Sequence, residues 1–277
     1  MSIAELLATN LLANSTTPQI DVELLLTFAL NQPRSFLYAH SEYELTKEQE
    51  KIFGILFNRR VNGEPIAYIL GKKEFWSLEL TVNQSVLIPR PETELLVEVA
   101  LNKLNHEAAI IADMGTGSGA IALALANAHP KWNIIATDIS EDALNLARYN
   151  AKQLQINNVE FYCGDWCRAL PNKKFDLIIS NPPYIAQNDP HLQQGDVSFE
   201  PKIALEAGDG LVALKKIITQ AKEYLKTGGL LMLEHGYDQS EQVQNLLHQN
   251  KYQAITPHQD LARIDRVVVA KKGEKAK

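Results

Sequence analysis

The chain beyond Asn105 alternates between short apolar runs and amphipathic helical patterns, and this alternation restricts the possible folds more than any other feature. Runs typical of buried strands occur at 109–113, 133–137, 158–162, 175–180, 229–234 and 266–270. Helical patterns fill the gaps between them at 119–128, 140–153, 209–226 and 239–249. Such alternation implies parallel strands joined by right-handed crossovers, so we predict a doubly wound α/β sheet.

The end of this pattern differs from its start. The last two strand candidates, near 252–256 and 264–270, have no helix between them. They can therefore pair as an antiparallel hairpin at one edge of the sheet. A parallel sheet that ends in this way is typical of the methyltransferase variant of the Rossmann architecture and unusual in dehydrogenases.

The first part of the chain carries helical patterns instead. Ser2 is a good N-cap for a first apolar stripe, at Ile3, Leu6, Leu7, Leu11 and Leu12. A second stripe follows Asp21, at Val22, Leu25, Leu26, Ala29 and Leu30, and a third contains Ile52, Ile55, Leu56 and Val61. These stripes predict a compact helical domain at residues 1–72, and we expect such a domain ahead of a catalytic one to recognise a macromolecular substrate.

A change of pattern between Phe75 and Leu87 predicts a β-hairpin connector, which we place at 73–88. Apolar residues alternate there at Trp76, Leu78, Leu80 and Val82, and Asn83-Gln84-Ser85 marks a turn. The α/β domain then covers 89–277. It opens with Pro89-Arg90-Pro91-Glu92-Thr93, in which Thr93 is the expected N-cap of a helix.

Composition argues against several classes of protein. The net charge is −6 and no basic stripe is present, unlike proteins that grip duplex DNA through its phosphates. No apolar run is long enough to span a bilayer, and the N-terminus lacks a secretory signal. Cys163 and Cys167 have no nearby ligand cluster, and the histidines show no metal spacing. We therefore expect a cytoplasmic monomer without a metal, a membrane anchor or direct nucleic-acid contact.

A glycine-rich turn, Asp113-Met114-Gly115-Thr116-Gly117-Ser118-Gly119, follows the first strand of the predicted sheet. Glycine lets the backbone approach a ligand closely, and the helix that follows points its amide-rich end at that ligand. Asp138 ends the next strand, where a carboxylate can accept hydrogen bonds from ribose hydroxyls. These features predict a nucleotide-type cofactor, and they fit NAD as well as S-adenosylmethionine.

Asn181-Pro182-Pro183-Tyr184, directly after the run at 175–180, favours S-adenosylmethionine. The prolines lack N–H groups, so the Pro182 carbonyl is free to accept from a ligand, and the Asn181 amide oxygen is a second acceptor. A planar NH2 group that donates to both acceptors turns its face to a sulfonium methyl, and Tyr184 can stack on that flat group. We therefore predict methyl transfer to a planar NH2 group, with Asn181, Pro182 and Tyr184 as catalytic residues.

Two further segments lie beside this site in the predicted sheet. Trp166 can stack on adenine, although core packing explains this residue nearly as well, and Asp165 can accept from the adenine amino group. The polar loop at 185–199 is long enough to indicate a function, and we expect it to close over the substrate.

In these motifs the chain resembles the N5-glutamine methyltransferases of the HemK/PrmC family. The resemblance extends over nearly the whole chain and includes Glu64 to Ile69, Gly71 to Phe75, Ile88 to Glu94 and Phe199-Glu200-Pro201. It implies a Rossmann-like class I S-adenosylmethionine-dependent methyltransferase sheet behind a small α-helical N-terminal domain. It also implies methylation of the glutamine of the Gly-Gly-Gln motif in bacterial class I peptide chain release factors, with S-adenosyl-L-homocysteine as the product.

By this resemblance, Asn181, Pro182, Pro183 and Tyr184 bind the glutamine, and the cofactor contacts are Gly115, Thr116, Gly117, Ser118, Gly119, Asp138, Trp166 and Asn181. Three alternatives share part of the pattern. A sibling family modifies a glutamine of a large-subunit ribosomal protein, but its N-terminal extension usually differs. Adenine-N6 DNA methyltransferases carry the same motif but need a basic groove. A non-enzymatic module that contacts translation factors would not need an acceptor motif beside a cofactor loop.

Overall fold

The computed structural model of the chain describes residues 1–8, 12 and 15–273, so Leu11 of the first predicted stripe lies outside the described residues. The chain divides into two compact units. One unit contains Met1–Lys72 and Gln193–Phe199, and the other contains Lys73–Leu192 and Glu200–Lys277. The short segment Gln193–Phe199 thus groups with the N-terminal helices, although the sequence places it inside the α/β domain.

The N-terminal unit is built from short helices around one apolar core. These helices are α1 (Ile3–Leu7), α2 (Pro18–Leu30), α3 (Arg34–Ala39), α4 (Lys47–Val61) and α5 (Ile66–Leu70). The predicted cap at Ser2 is confirmed, because Ser2 and Glu5 form a capping box. The second helix starts earlier than its apolar stripe suggested. Asp21 therefore lies inside α2, buried, instead of in front of it.

The third predicted stripe is only partly correct. Phe53 and Leu56 of α4 are buried, whereas Ile55 and Val61 are exposed. Arg60 completes the buried face, because residues three and four positions apart share one side of a helix. Its Nε donates to Asp21 Oδ2 at 2.6 Å, so a charged side chain that the predicted stripe did not include forms part of the buried face.

The predicted hairpin is present but displaced towards the N-terminus. Its strands are β1 (Lys72–Phe75) and β2 (Leu78–Thr81). Trp76 and Ser77 form the turn, with φ angles of 50° and 60°, so Trp76 is not a strand residue as predicted. Positive φ at both central positions matches the right-handed twist of paired strands, which explains why the turn forms there. Asn83 and Ser85 make a separate local turn after the hairpin.

The second unit contains the predicted doubly wound sheet. Its strands are β3 (Ile110–Met114), β4 (Asn133–Asp138), β5 (Val159–Cys163), β6 (Phe175–Ser180), β7 (Leu225–Glu234), β8 (Tyr252–Gln259) and β9 (Asp265–Lys272). Their order is β5-β4-β3-β6-β7-β9-β8. The strands from β3 to β7 are parallel, and β9 runs antiparallel between β7 and β8. The predicted antiparallel edge hairpin is therefore confirmed.

Helices cover both faces of this sheet. They are α6 (Glu94–Lys103), α7 (Ala120–Ala128), α8 (Glu141–Gln153), α9 (Val212–Tyr224) and α10 (Ser240–Gln249). Leu177 and Ile179 pack into the core that contains α6 and α7, whereas Ile178 packs into the core that contains α9 and α10. This alternation follows from the two-residue period of a strand, and it makes β6 a strand buried on both faces.

The start of α6 differs from the prediction. Thr93 has φ −67° and ψ −19°, makes no side-chain capping bond, and ends a 3₁₀ turn at Pro91–Thr93. Its hydroxyl is therefore available for a tertiary contact. Within the described part of the chain, no helix combines the length and the apolar character that crossing a membrane requires.

Candidate active site

The glycine-rich turn between β3 and α7 is fixed to the neighbouring strand. The amides of Gly115 and Thr116 both donate to the Thr137 carbonyl, at 2.8 and 2.9 Å. Gly117 and Gly119 have φ angles of 56° and 87°, which residues with a side chain rarely adopt. Two amides of the turn thus hold it to β4, and the glycines make its path possible.

Two predicted cofactor residues turn their polar groups into the protein. The Thr116 hydroxyl donates to Asp113 Oδ2 at 2.6 Å, and both residues are buried. Burial raises the pKa of Asp113 to about 7, although the Thr116 hydroxyl and the Ala122 amide oppose this shift. Ser118 is buried as well, and its carbonyl accepts from Asn150 Nδ2 at 2.9 Å. The Thr116 side chain and the Ser118 carbonyl therefore support the turn from behind.

Asp138 lies at the carboxyl end of β4 beside this turn. Its Oδ2 accepts from the Gly117 amide and its Oδ1 from the Ser140 amide, each at 2.9 Å. Burial raises the pKa of Asp138 above its ordinary value, and these amide hydrogen bonds oppose the shift. A carboxylate offers about four acceptor positions, so Asp138 keeps capacity for a further donor such as a ribose hydroxyl.

A cavity of ≈ 280 Å³ opens in front of the turn. Of the predicted site residues, those that line it are Gly115, Gly117, Asp138, Trp166, Asn181 and Pro183. Other lining residues, which the sequence did not single out for the site, include Val86, Ile139, Ile203, Val212 and Lys216. The wall is mostly apolar with a few polar groups, which is typical of small-molecule sites.

Trp166 and Asp165 bound one side of this cavity. Trp166 adopts φ 49°, an unusual value for a bulky residue. Its ring lies against Gly115, where a Cβ would come within 3.3 Å of Cζ3. Asp165 Oδ2 accepts from Lys216 Nζ at 2.5 Å, so this carboxylate is already paired with a cation.

These residues fit S-adenosylmethionine. A Cβ added at Gly117 would meet no atom within 4 Å, so the turn leaves open space where its backbone reaches the cavity. The Asp138 carboxylate has acceptor capacity for ribose, and the Trp166 ring offers an aromatic wall for a base. Among the described residues, no cluster of His, Cys, Asp and Glu is suited to hold a metal ion.

The motif Asn181 to Tyr184 leaves β6 at the same edge of the sheet. Asn181 Nδ2 donates to the Thr93 hydroxyl at 3.0 Å. The Tyr184 hydroxyl donates to Glu234 Oε1 at 3.2 Å, and the Tyr184 carbonyl accepts from Gln239 Nε2 at 3.0 Å. The motif is therefore held by side chains from the start of α6, from the end of β7 and from the residue before α10.

Glu234 is a buried carboxyl group behind this motif. Burial raises its pKa to about 7, against hydrogen bonding from Thr93 and Tyr184 and the positive charge of Arg266. The sequence analysis did not include Glu234 in the site, because an acidic residue at the end of an apolar strand is normally predicted to be exposed. One signal in the sequence was the uninterrupted apolar run before Glu234, which is typical of a buried strand. The antiparallel strand that pairs with this end of β7 becomes visible only in the sheet order.

An ion pair within the second unit joins two segments that lie far apart in the sequence. Arg90 Nη2 donates to Glu200 Oε1 at 2.6 Å, and Glu200 is buried. The two residues belong to the Ile88 to Glu94 and Phe199 to Pro201 segments that carried the family resemblance. The ion pair thus joins the two segments, and Pro201 of the second one lines the cavity.

Comparison with known proteins identifies the fold and both parts of the chain. A family model described as a methyltransferase domain matches residues 105–275, and one described as the PrmC N-terminal domain matches residues 6–71. A methyltransferase from Pyrococcus furiosus has a similar structure, with a TM-score of 0.56, 18% identity and coverage of 81% of this chain and 99% of that chain. A ribosomal protein L11 methylase from Lactobacillus delbrueckii subsp. bulgaricus has a TM-score of 0.51 with 20% identity, over 70% of this chain and 84% of that one. These structural likenesses support the fold.

Sequence relatives identify the family. The release factor glutamine methyltransferase of Coxiella burnetii (strain RSA 493 / Nine Mile phase I) is 52% identical over 261 residues, which cover 94% of each chain. The protein of the same name from Escherichia coli (strain K12) is 45% identical over 93% of each chain. Identity at this level over nearly the full length is accompanied by matches to both family models. This chain therefore belongs to the release factor glutamine methyltransferase family.

Proposed function

We propose that this chain methylates the side-chain amide nitrogen, N5, of the glutamine in the Gly-Gly-Gln motif of class I release factors, using S-adenosyl-L-methionine. One observation carries the proposal: Asn181 and Pro183 line the same cavity as Gly117 and Asp138. A cofactor held at the glycine turn would thus lie beside an acceptor held by the motif. Family membership and the names of the relatives support the release factor as the protein substrate.

The acceptor geometry follows from two oxygen atoms. Asn181 Oδ1 and the Pro182 carbonyl would each accept one hydrogen of the glutamine NH2 group. Among the described residues, none donates to the Pro182 carbonyl through its backbone amide. Fixing both hydrogens places the nitrogen with its out-of-plane face towards the cofactor, and positioning of this kind accounts for a large share of catalysis.

Bound S-adenosylmethionine supplies an electrophilic methyl group on a positively charged sulfur. The residues of this chain hold the weakly nucleophilic amide nitrogen in place and exclude water from it. No general base is required before attack, because the nitrogen can lose its proton afterwards. Tyr184 would contact the flat face of the carboxamide while its hydroxyl remains bound to Glu234.

The test is a labelling experiment with methyl-labelled S-adenosylmethionine. Purified class I release factor, the large-subunit ribosomal protein with a modified glutamine, and adenine-containing duplex DNA are offered as separate acceptors. We expect label on the release factor alone, on the glutamine of its Gly-Gly-Gln motif by mass spectrometry. Label on the ribosomal protein or on DNA instead would replace this function with the corresponding alternative.

Asn181→Ala removes one of the two acceptors from the proposed site. We expect the rate of methyl transfer to the release factor to fall by a factor of about 100, because the amide is no longer oriented. Asn145→Ala is a matched control, since Asn145 is exposed on α8 and bonds only to Arg148 among the hydrogen bonds of the described chain. Near-normal labelling by the Asn181→Ala enzyme would contradict the assignment of Asn181.

A further inference from the structure

A cationic side chain, Lys216, lies in the wall of the cofactor cavity. It belongs to the face of α9 that borders the cavity, together with Val212 and Ala213. These three positions lie on one side of the helix, because residues three and four positions apart share a face. Among the described residues that line the cavity, Lys216 is the only lysine or arginine. A positively charged hydrogen-bond donor is thus available at this position of the wall.

The Lys216 ammonium group is held by Asp165, which also lines the cavity. Lys216 Nζ donates to Asp165 Oδ2 at 2.5 Å. The two side chains are 37% and 31% exposed, and an ion pair with this exposure contributes little to folding stability. An ammonium group has three hydrogens and a carboxylate offers about four acceptor positions, so both groups keep capacity for a ligand. The pair therefore presents a donor beside an acceptor in the cavity wall.

This pair lies one strand away from Asp138, the residue proposed to bind the ribose. Asp138 and Cys163 are register partners in the parallel strands β4 and β5. The Gly164 amide donates to the Asp138 carbonyl at 2.9 Å, and Asp165 is the next residue. Neighbouring strands are about 4.8 Å apart. A nucleoside whose ribose lies at Asp138 can therefore reach the Asp165–Lys216 pair with its base.

Adenine matches the polarity of this pair. Its amino group is a donor, and the ring nitrogens N1 and N7 on either side of that group are acceptors. A ligand edge with a donor next to an acceptor is the complement of a carboxylate next to an ammonium group. Hypoxanthine carries an oxygen in place of the amino group, so the Asp165 carboxylate would face a second acceptor. The pair can therefore distinguish these two bases.

We propose that Lys216 is a specificity-determining residue for the cofactor, whose ammonium group, held by Asp165, donates to N1 or N7 of adenine while Asp165 accepts from the adenine amino group. The sequence analysis assigned only the acceptor, Asp165, and did not include the donor on α9. This inference rests on the proposed function, because it takes S-adenosylmethionine as the cofactor.

Lys216→Met tests the donor, because it removes the ammonium group and keeps an unbranched side chain. We expect the affinity of the full chain for S-adenosylhomocysteine, measured by calorimetry, to fall about 10-fold, since a hydrogen bond from a charged donor is lost. Lys215→Met is the matched control. Lys215 is the neighbouring residue on α9, its Nζ donates to Asp209 Oδ2 at 2.7 Å, and it does not line the cavity.

The control chain should bind S-adenosylhomocysteine within about two-fold of the wild type, because its ion pair lies outside the cavity. An unchanged affinity of the Lys216→Met chain would overturn the inference. An equal loss in both variants would also overturn it, because the loss would then not depend on a position in the cavity wall.

Analogues of S-adenosylhomocysteine that carry a CH group in place of N1 or of N7 separate a hydrogen bond from a general effect of charge. We expect one of the two analogues to bind the wild-type chain about 10-fold more weakly than S-adenosylhomocysteine. In the Lys216→Met chain that analogue and S-adenosylhomocysteine should bind equally, because the donor is absent. If Lys216 acted only through its charge, the substitution would weaken all three ligands by the same factor, and that result would overturn the inference.

The wild-type chain alone also tests the inference, should Lys216→Met fail to fold. Equal affinity for S-adenosylhomocysteine and both analogues would overturn it. S-inosylhomocysteine, which carries hypoxanthine, should bind the wild-type chain about 100-fold more weakly than S-adenosylhomocysteine, because a site built to bond an amino group rejects a ligand that lacks it. Similar affinities for these two ligands would count against the pair as a reader of adenine.

Binding to the wild-type chain distinguishes failure of this inference from failure of the proposed function. If the wild-type chain binds neither S-adenosylmethionine nor S-adenosylhomocysteine, the proposed function is rejected and the inference with it. If it binds both and labels the release-factor glutamine, but Lys216→Met binds S-adenosylhomocysteine as tightly, the inference alone is rejected.

Discussion

Among single residues, the glycines of the cofactor turn differ in what their missing side chains serve. A Cβ at Gly119 would come within 3.0 Å of Leu123 and 3.3 Å of Ala147, so Gly119 allows close packing of α7 and α8. A Cβ at Gly117 would meet nothing within 4 Å, so Gly117 instead leaves room for a ligand. The same residue type thus allows close packing at one position and, two residues earlier, leaves the open space that we propose for the cofactor.

The substitution Asp138→Ala tests whether this single carboxylate binds the ribose of S-adenosylmethionine. The substitution would leave the ribose hydroxyls without a charged acceptor, so we expect S-adenosylmethionine binding to weaken by about 1–3 kcal/mol. Isothermal calorimetry measures this directly, and NAD serves as the second ligand. Tight binding of NAD together with no binding of S-adenosylmethionine would favour a dehydrogenase-type site instead.

The buried Asp113 predicts a pH dependence of stability. Its pKa in the folded chain is about 7, raised by burial from the model-compound value of 3.8. The folded state therefore holds more protons than the unfolded state between these values, and the free energy of unfolding falls as pH rises from about 4 to 7. We expect Asp113→Asn to remove this contribution. Urea unfolding of both proteins at several pH values checks it, and parallel pH profiles would contradict the prediction.

Among the structural elements, the segment between β6 and α9 is held tightly at its carbonyl groups. Gln239 Nε2 donates to the carbonyls of both Tyr184 and Gly210, at 3.0 and 3.2 Å. The backbone of Gly210 has φ 84°, and a Cβ there would lie 2.9 Å from the Tyr184 oxygen. A side chain at this position would therefore displace the backbone of the acceptor motif.

Gly210→Ala should accordingly lower the methyl-transfer rate more than it lowers cofactor affinity. The left-handed backbone alone costs about 1–2 kcal/mol for a residue with a side chain. Gly208→Ala is the matched control: its φ is 57°, but a Cβ there would meet a rotatable methyl group of Val212 at 2.9 Å. Both variants should be less stable in thermal unfolding, with the larger loss of rate at Gly210. Equal rate losses would count against a specific link to the motif.

For the whole molecule, the central prediction concerns the division into two units. We expect a chain that starts at Lys73 to bind S-adenosylmethionine but to lose methylation of the intact release factor, because substrate recognition is predicted for the N-terminal unit. Calorimetry and the labelling assay measure the two activities, and circular dichroism checks the fold of the shortened chain. Unimpaired methylation by a folded shortened chain would refute the recognition role.

The sequence by itself determined the class of fold and the position of the reactive edge. The period of the apolar runs, the glycine turn and the Pro182-Pro183 pair are local, and local stereochemistry restricts what such segments can form. Parallel strands then bring their carboxyl ends together, so Gly117, Asp138 and Asn181 could be assigned to one site before their contacts were known. The errors at Trp76 and Asp21 were also local, because stripes and alternation define element ends poorly.

Only the tertiary structure decided how the site residues are held. Asn181 meets Thr93 across 88 residues of chain, and Tyr184 meets Glu234 across 50. A hydrogen-bond partner at such a separation depends on strand order and on where each element ends, and neither leaves a periodic signal in the sequence. Thr93 illustrates the reason: its position before α6 is typical of an N-cap, but the folded chain places the amide donor of Asn181 beside its hydroxyl.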